Sequence, residues 1–387
     1  MNPSELPRVY LDHAATGWPK PERVYAAMDR FARSTGASAG RGGYRSAAIA
    51  DEVIASCRRR LARLIGADQP QRIAFFSNGT TALNAAIGGV VSAGDHVVTT
   101  VTEHNSVLRP LQWLSSERGV RLDIVGCDAS GQVDPAEVLA RVTPQTRLVA
   151  ISHGSNVTGA VQDVAAIGQQ LQAADTLLLC DAAQTLGYLN IDVQALGVDL
   201  LAAPGHKGAC GPLGTGMLYV SSKAQPRLRP TLFGGTGSTS QSLEMPTAMP
   251  GMLEPGNLNV TALAGWDAGL ETLAEEPAED RQRRCGELAD EFRRGLSTLP
   301  GTRAIIGTRL PIASLTFEQL DVSLAATLLD TEFGIEVRSG LHCAALIHNA
   351  LGTAPGGTLR LSAGHTTTAS DIIQAATALA EILQELG

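Results

Sequence analysis

Short apolar runs alternate with longer alanine-rich stretches through the first half of the chain. The runs at residues 95–100, 121–125, 147–152 and 176–180 have the length and aliphatic content of buried strands. The stretches between them have helical patterns. Because strands that alternate with helices form mainly parallel sheets, the pattern predicts an α/β fold with helices against a sheet and ligands at strand ends.

The pattern changes in the second half. Residues 233–255 are rich in Gly, Ser, Thr, Met and Pro with little periodicity, which indicates a long loop near a site or an interface, or else a disordered segment. A helical stretch follows from Thr261, and a strand-like run follows at residues 312–317. We therefore predict a large α/β domain over residues 16–260 and a smaller α+β C-terminal domain over residues 261–387.

Composition narrows the function classes. The chain has 387 residues, 44% of them hydrophobic, and a net charge of −8. No basic block stands out, and the Arg58-Arg-Arg cluster is predicted to be a solvated helix face, so we expect no nucleic-acid partner. Residues 1–8 lack a targeting signal and no apolar stretch reaches about 18 residues, so we expect no membrane span. The six cysteines show no zinc or disulfide spacing, which predicts no metal and a reducing, cytoplasmic location.

Lys207 and Asp181 form the first chemical pair. Lys207 lies in a glycine-rich run, and Asp181 ends the apolar run that starts at Thr176. A lysine amine can bond covalently to pyridoxal 5'-phosphate, and a carboxylate can face the pyridinium nitrogen of that cofactor. The alternative is a solvated lysine in a turn.

A second pattern predicts an anion site. Residues 71–76 are predicted as a strand, residues 77–81 as a turn and residues 82–91 as a helix. Backbone N–H groups and the Thr80 and Thr81 hydroxyls would then face a phosphate. The alternative is an ordinary helix cap without a ligand.

Cys343 is the candidate nucleophile. Arg338 and His342 flank it, and positive neighbours lower the pKa of a thiol and favour the reactive thiolate. The alternative is a buried structural thiol.

These segments belong to an ordered series of motifs, through which the chain resembles the class V aminotransferase-like enzymes of fold type I, and among them the cysteine desulfurases and selenocysteine lyases. The resemblance covers nearly the whole chain. The motifs are Tyr10-Leu-Asp-His-Ala-Ala-Thr, Arg41-Gly-Gly-Tyr, Gly79-Thr-Thr, Glu103-His-Asn, Ser155-Asn-Val-Thr-Gly, Asp181-Ala-Ala-Gln, Gly205-His-Lys, Glu254-Pro-Gly-Asn, Arg338 to Ala344 and Arg360.

The resemblance implies the fold and the roles of individual residues. The fold would have a large, mostly parallel-sheet domain and a small C-terminal domain that residues 1–15 join. Lys207 would bond to pyridoxal 5'-phosphate and move the Cα proton, and Asp181 would pair with the pyridinium nitrogen. Gln184 would bind the phenolate oxygen, and His104 would stack on the ring and act in catalysis by shuttling protons. Asn156 would lie near the phenolate and the substrate carboxylate. Arg338 and Arg360 would bind substrate, Arg360 as a carboxylate clamp. Thr80, Thr81 and His206 would bind the phosphate.

The implied reaction removes sulfur from L-cysteine, or selenium from L-selenocysteine, and releases L-alanine. Cys343 would attack the sulfur and carry a persulfide to a thiol acceptor, such as a sulfur-acceptor protein. Family members are typically homodimers. An alternative is another activity of the same fold, such as transamination, C–S lysis or epimerisation, in which Cys343 is dispensable; a non-catalytic scaffold or sulfur carrier is a third class.

Three positions depart from the family pattern, and one of them is Tyr44, where many relatives have His. Pro204 replaces a Ser or Thr that binds phosphate, and proline offers neither a hydroxyl nor an N–H. Asn257 replaces a Thr that reaches the phosphate of the partner subunit, although its amide can still donate a hydrogen bond. We therefore expect a weakened or rearranged phosphate site.

Overall fold

A seven-stranded sheet forms the centre of the structure, which is a computed structural model that describes residues 8–40, 42–237 and 241–386. Arg41 and residues 1–7, which entered the predictions above, lie outside these ranges. The strands of the sheet are β2 (Ile73–Phe76), β3 (His96–Thr100), β4 (Arg121–Val125), β5 (Thr146–Ser152), β6 (Leu177–Asp181), β7 (Leu200–Pro204) and β8 (Gly216–Val220).

The sheet has the order β2-β8-β7-β6-β5-β3-β4. Strands β3 to β7 pair in parallel, whereas β8 is antiparallel to both β7 and β2. Six helices accompany these strands along the chain: α1 (Glu22–Ser34), α2 (Arg45–Leu64), α3 (Gly79–Val90), α4 (Asn105–Arg118), α5 (Pro135–Arg141) and α6 (Val164–Leu171). The predicted α/β fold is confirmed.

Strand β6 shows why its sequence is apolar throughout. Leu178 and Cys180 belong to the core on one face of the sheet, whereas Leu177 and Leu179 belong to the core on the other face. Successive side chains of a strand point to opposite faces, and a parallel sheet is covered on both. The first polar residue of the strand, Asp181, therefore marks the edge where the sheet ends and a ligand can bind.

The C-terminal part contains α7 (Val260–Ala274), α8 (Ala278–Leu296), α9 (Val322–Phe333), α10 (Ala345–Leu351) and α11 (Ala369–Leu386). Its antiparallel sheet has the order β12-β13-β10-β9, formed by β9 (Thr302–Ile306), β10 (Ile312–Phe317), β12 (Arg338–Gly340) and β13 (Thr358–Ser362). A separate parallel pair joins β1 (Val9–Tyr10) to β11 (Ile335–Glu336). Val9 and Leu11 share a core with α8, α9 and α11.

The boundary near residue 260 remains a prediction. Trp266 of α7 is fully buried in the core of the large sheet, next to Phe75. Between Leu228 and Val260, the described residues form turns and irregular backbone without a helix or a strand, as the sequence predicted for residues 233–255.

The prediction for Arg58 is wrong. Its residue is 7% exposed, and its guanidinium donates to both carboxylate oxygens of Glu254 at 2.9 and 3.0 Å. Glu254 also accepts from the backbone N–H of Phe75 at 2.7 Å. A buried ion pair therefore joins Arg58 to the segment after the long loop. Its neighbour Arg59 forms an exposed ion pair with Glu52.

Candidate active site

Ten of the predicted site residues line one cavity of about 210 Å³ at the carboxyl ends of β5, β6 and β7. They are Thr80, His104, Asn156, Asp181, Gln184, His206, Lys207, Arg338, Cys343 and Arg360. We call this space the inner cavity. Thr81 and Asn257 instead line a neighbouring cavity of about 370 Å³. Residues far apart in sequence thus meet where the topology of the sheet places the ends of its parallel strands.

Burial shifts the pKa values of Lys207 and Asp181 in opposite directions. Asp181 is buried at the end of β6, and burial raises the pKa of its carboxyl. Within the described chain, its hydrogen bond comes from the N–H of Ala183 at 2.9 Å. Burial lowers the pKa of Lys207 to about 8, although Asp181 opposes that shift. A substantial fraction of Lys207 is therefore neutral near physiological pH, as a nucleophilic amine requires.

The amino end of α3 faces the inner cavity. The helix begins at Gly79, three residues earlier than the sequence predicted, because Asn78 caps it and accepts from Thr81 N–H at 2.8 Å. The N–H groups of Gly79 and Thr80 belong to the first turn, which has no partners within its own helix. A Cβ at Gly79 would lie 3.0 Å from Cδ of Pro204, so a larger residue would push the helix and β7 a few tenths of an ångström apart.

His104 is held as a neutral ring with a defined tautomer. Its Nδ1 accepts from the backbone N–H of Ser106 at 3.0 Å, so the proton of the neutral ring resides on Nε2. Burial lowers the pKa of His104 to about 4, and the charge of Lys207 contributes. The Ser106 hydroxyl also bonds His104 Nδ1 at 2.8 Å and Thr80 Oγ1 at 2.7 Å. The sequence motifs gave no indication of this bridging role for Ser106.

A second buried carboxyl lies behind His104. Glu103 Oε1 accepts from Ser152 N–H at 3.0 Å and from Thr100 Oγ1 at 2.7 Å, while Oε2 has no partner among the described residues. Burial raises the pKa of Glu103 to about 8. Glu103 is therefore mainly protonated at neutral pH.

Arg360 is almost fully buried, and two of its three guanidinium nitrogens have hydrogen-bond partners. Its Nη2 donates to Asp12 Oδ1 at 2.5 Å and its Nη1 donates to the carbonyl of Asn156 at 3.1 Å, whereas Nε has no partner in the described structure. Arg338 is half-exposed, and its Nε lies 4.0 Å from Asp12 Oδ2. Asp12 lies in the first motif, whose sequence alone indicates no role for it. It is the counter-ion that fixes the Arg360 guanidinium.

Cys343 lies in a strained loop. His342 and Cys343 have φ of 49° and 57°, a left-handed conformation that residues other than glycine rarely adopt. The carbonyl of Cys343 accepts from Asn105 N–H at 2.7 Å, and the carbonyl of His342 accepts from Asn156 Nδ2 at 2.7 Å. The side chain of Cys343 is exposed and lines the inner cavity, which contradicts a buried structural thiol.

His342 does not supply the positive charge that the sequence suggested. Burial lowers its pKa to about 2. Its Nε2 lies 3.1 Å from the Thr358 carbonyl and 3.0 Å from Thr358 Oγ1, and Oγ1 donates onward to Ser314. A carbonyl only accepts, so Nε2 carries the proton and the ring is neutral. Arg338 and Arg360 are the cations of this side of the cavity.

The remaining predicted residues have partners of their own. Gln184 Nε2 donates to the carbonyl of Ala14 at 3.0 Å. His206 Nδ1 lies 3.1 Å from Thr16 Oγ1, and burial lowers the pKa of this histidine to about 4. Pro204 ends β7 and lines the inner cavity. These contacts position each side chain at the cavity wall and leave one amide N–H of Gln184 for another acceptor.

Neither a metal site nor a membrane-spanning helix is present among the described residues. No group of three or more His, Cys, Asp or Glu side chains that could hold a metal ion is found within residues 8–40, 42–237 and 241–386. None of the described helices is long and apolar enough to cross a membrane.

Comparison with known proteins gives the family. The class V aminotransferase family matches residues 9–374. A probable cysteine desulfurase of Methanothermobacter thermautotrophicus is 35% identical over 98% of this chain and 94% of its own length. The cysteine desulfurase CsdA of Escherichia coli is 30% identical over 94% of this chain and 91% of its own length.

Solved structures agree. The apo cysteine desulfurase of Thermococcus onnurineus has a TM-score of 0.90 and 28% identity, and it covers 99% of this chain and 96% of its own. The crystal structure of E. coli CsdA in its S-sulfonic acid form has a TM-score of 0.89 and 28% identity over 100% of both chains. The chain therefore belongs to the class V aminotransferase family, within its cysteine desulfurase branch.

Proposed function

We propose that this protein is a pyridoxal 5'-phosphate-dependent cysteine desulfurase that takes sulfur from L-cysteine, or selenium from L-selenocysteine, and releases L-alanine. One observation carries the proposal: the exposed thiol of Cys343 lines the same cavity as Lys207 and Asp181. The family and the names of its relatives agree with this reaction.

The side chains of the inner cavity fit the cofactor. The Nζ amine of Lys207 lines the inner cavity and makes no hydrogen bond or ion pair with any described residue, so it is available for a covalent bond to an aldehyde. Asp181 can pair with a ring nitrogen, and one N–H of Gln184 can bind a phenolate oxygen. The N–H groups of Gly79 and Thr80 with His206 would bind the phosphate. When bound, pyridoxal 5'-phosphate withdraws electrons from the substrate Cα.

Arg360 would bind the substrate carboxylate. Its Nε is buried without a partner, and a carboxylate beside it would satisfy that donor. Asp12 holds the guanidinium from the other side and fixes its plane. Asn156 lies against both Arg360 and the Cys343 loop, so the same contacts would align the carboxylate with the thiol. Arg338, half-exposed beside Asp12, would add positive charge at the entrance.

Lys207 would move the Cα proton. Its lowered pKa of about 8 gives a neutral amine that can accept a proton, and Asp181 stabilises the ammonium form that results. His104 would act differently. As a neutral ring with its proton on Nε2, it can stack and donate a hydrogen bond, but it is a weak base.

Cys343 would take the sulfur. Its thiolate attacks the substrate sulfur, a new S–S bond forms, and the substrate C–S bond breaks. The substrate carbon gains a proton and leaves as alanine, while Cys343 keeps the sulfur as a persulfide, so no external oxidant or reductant is needed. A thiol acceptor, such as a sulfur-acceptor protein, then removes the sulfur. From selenocysteine the same step leaves selenium bound to Cys343, and a reducing thiol then releases it as selenide and becomes oxidised to a disulfide.

We also propose a homodimer in a reducing, cytoplasmic setting. Asn257 and Thr81 line a cavity separate from that of Lys207, which agrees with a role toward the partner subunit's cofactor. Leu232, which lines this cavity, is exposed on the long loop together with Phe233 and Leu243, and all three would be covered in a dimer. All six cysteines are free, as expected in a reducing compartment.

Alanine release tests the proposed function. Wild type, Cys343→Ala and Cys127→Ala are compared with L-cysteine and with L-selenocysteine under reducing conditions. We expect wild type and Cys127→Ala to form alanine from cysteine, and Cys343→Ala to lose this activity. Alanine from selenocysteine alone would indicate a lyase. Equal activity of Cys343→Ala with cysteine would favour another reaction of the same fold.

A further inference from the structure

Cys343 lies between two cavities. One is the inner cavity with Lys207, and the second, of about 520 Å³, has Cys343 but not Lys207 in its wall. We call this second space the outer cavity; besides Cys343 and three residues shared with the inner cavity, Asn84, Asn105, Arg109, Pro110 and Trp113 line it. The thiol can therefore be reached from a side that does not contain Lys207.

The outer cavity has one cation and one large apolar wall. Arg109 is exposed, and its guanidinium makes no hydrogen bond or ion pair within the described parts of the chain. Trp113 is 53% exposed, and it follows Arg109 by one helical turn on α4. An unpaired arginine one turn before an exposed indole, whose ring also has the Arg118 guanidinium 5.8 Å from its centroid, suits a short carbon chain that ends in a carboxylate.

The geometry ties this cation to the thiol. Asn105 precedes Arg109 by four residues on α4, so both lie on the same face of the helix. The N–H of Asn105 donates to the carbonyl of Cys343 at 2.7 Å. The helix that presents Arg109 is therefore fixed directly to the residue that would carry the sulfur.

We propose that the outer cavity binds the acceptor of the sulfur, a small thiol that carries a carboxylate, with Arg109 on the carboxylate and Trp113 along the carbon chain. The proposal rests on the proposed function, because it needs a persulfide on Cys343. The acceptor enters from the outer side, while substrate binds on the side of Lys207 and Arg360.

The transfer step balances without a further reactant. The acceptor thiolate attacks the terminal sulfur of the Cys343 persulfide, a new S–S bond forms on the acceptor, and the S–S bond to Cys343 breaks. Cys343 leaves as a thiolate, and the acceptor departs as a persulfide. The proton lost by the acceptor thiol returns to either sulfur from solvent.

Single-turnover transfer tests the proposal. The holoenzyme is given one equivalent of L-cysteine, persulfide on Cys343 is measured by mass spectrometry, and only the persulfidated fraction is followed afterwards. Three probes are then compared, namely 3-mercaptopropionate, 2-mercaptoethanol and cysteamine, which are anionic, neutral and cationic. For each probe, the rate with the variant is divided by the rate with wild type, which cancels the intrinsic reactivity of the thiol.

Arg109→Gln should slow transfer to 3-mercaptopropionate roughly tenfold, the effect of one charge-assisted hydrogen bond, and change transfer to 2-mercaptoethanol less than about twofold. Arg109→Glu should instead speed transfer to cysteamine and slow transfer to 3-mercaptopropionate, each relative to wild type. Arg121→Gln is the matched control, because it removes an exposed arginine of β4 outside the outer cavity, and it should leave all three rates unchanged.

The outcomes separate this inference from the proposed function. Absence of any persulfide on wild-type Cys343 would overturn the proposed function itself. A persulfide that all three probes remove with the same ratios in Arg109→Gln as in Arg121→Gln would overturn the acceptor site alone. A persulfide that none of the probes removes would also overturn it and would point to a protein acceptor.

Alkylation gives a readout that needs no cofactor. In cofactor-free protein, the rate with which iodoacetate modifies Cys343 is compared with that of iodoacetamide. Arg109 attracts the anionic reagent to the outer side of the thiol, so Arg109→Gln should lower the ratio of the two rates several-fold, whereas Arg121→Gln should not. An unchanged ratio in Arg109→Gln would contradict the proposal.

Discussion

The backbone N–H of Asn105 donates a hydrogen bond to the carbonyl oxygen of Cys343 at 2.7 Å. This contact joins the helix that begins directly after His104 to the left-handed loop that carries the thiol. The contact thereby holds the Cys343 loop next to His104, which lines the same cavities as the thiol. Such a link explains how an exposed cysteine can be part of a defined site.

Arg360→Lys should weaken substrate binding. The lysine ammonium cannot bind Asp12 and a substrate carboxylate with the planar geometry of the guanidinium. We expect the KM for L-cysteine to rise about tenfold or more, with a smaller change in kcat, in steady-state kinetics. Arg338→Lys, at a half-exposed position, should change KM by less than about threefold. Equal effects of the two substitutions would contradict the role of Arg360.

The lowered pKa of Lys207 predicts a pH profile for cofactor uptake. Only the neutral amine can bond covalently to pyridoxal 5'-phosphate, and its fraction rises as pH increases through the pKa of about 8. The rate at which cofactor-free protein takes up pyridoxal 5'-phosphate is followed by absorbance and divided by the rate at which Nα-acetyl-lysine reacts with it. This ratio should be highest near and below pH 8. A ratio that stays constant up to the ordinary lysine pKa of about 10.4 would contradict the shift.

Pro204→Ser should tighten binding of the cofactor. Serine would add a hydroxyl beside the amino end of α3, where the phosphate is proposed to bind. One neutral hydrogen bond of about 1 kcal/mol corresponds to roughly fivefold in Kd. Equilibrium dialysis measures the change, with the exposed Pro226→Ser as the control. A Kd that is unchanged or higher would show that a hydroxyl at position 204 does not contact the phosphate.

Arg58→Met should destabilise the fold, because it leaves Glu254 buried without its ionic partner. The expected cost is about 3–5 kcal/mol in the free energy of unfolding, measured by urea denaturation. Arg59→Met, in an exposed ion pair, should change stability by less than about 0.5 kcal/mol. The double variant Arg58→Met with Glu254→Met should recover much of the loss. Similar costs for Arg58→Met and Arg59→Met would refute the burial of this pair.

The sequence predicted the parts of the site that depend on local chemistry. Asp181 follows a wholly apolar strand, and Lys207 lies in a glycine-rich turn, so both were expected at the edge of a parallel sheet. The structure brings them into one cavity. The strands and the fold class could be predicted for the same reason, because the spacing of apolar residues can be seen in the sequence without knowledge of the tertiary contacts.

The missed features depend on distant partners. Arg58 has the sequence context of a solvated helix face, and only Glu254, 196 positions away, makes it a buried ion pair. The charge of His342 could not be read from its neighbours in sequence, because burial and a hydrogen bond to Thr358 keep its ring neutral. Asp12 was likewise invisible as the counter-ion of Arg360, 348 positions away.

The most direct test is the mass of the tryptic peptide of residues 339–360 after one equivalent of L-cysteine, because Cys343 is its only cysteine. The account predicts the added mass of one sulfur atom on this peptide, in proportion to the alanine released, and none on the peptide that contains Cys127. Alanine released without sulfur on Cys343, or with sulfur on another cysteine, would contradict Cys343 as the nucleophile.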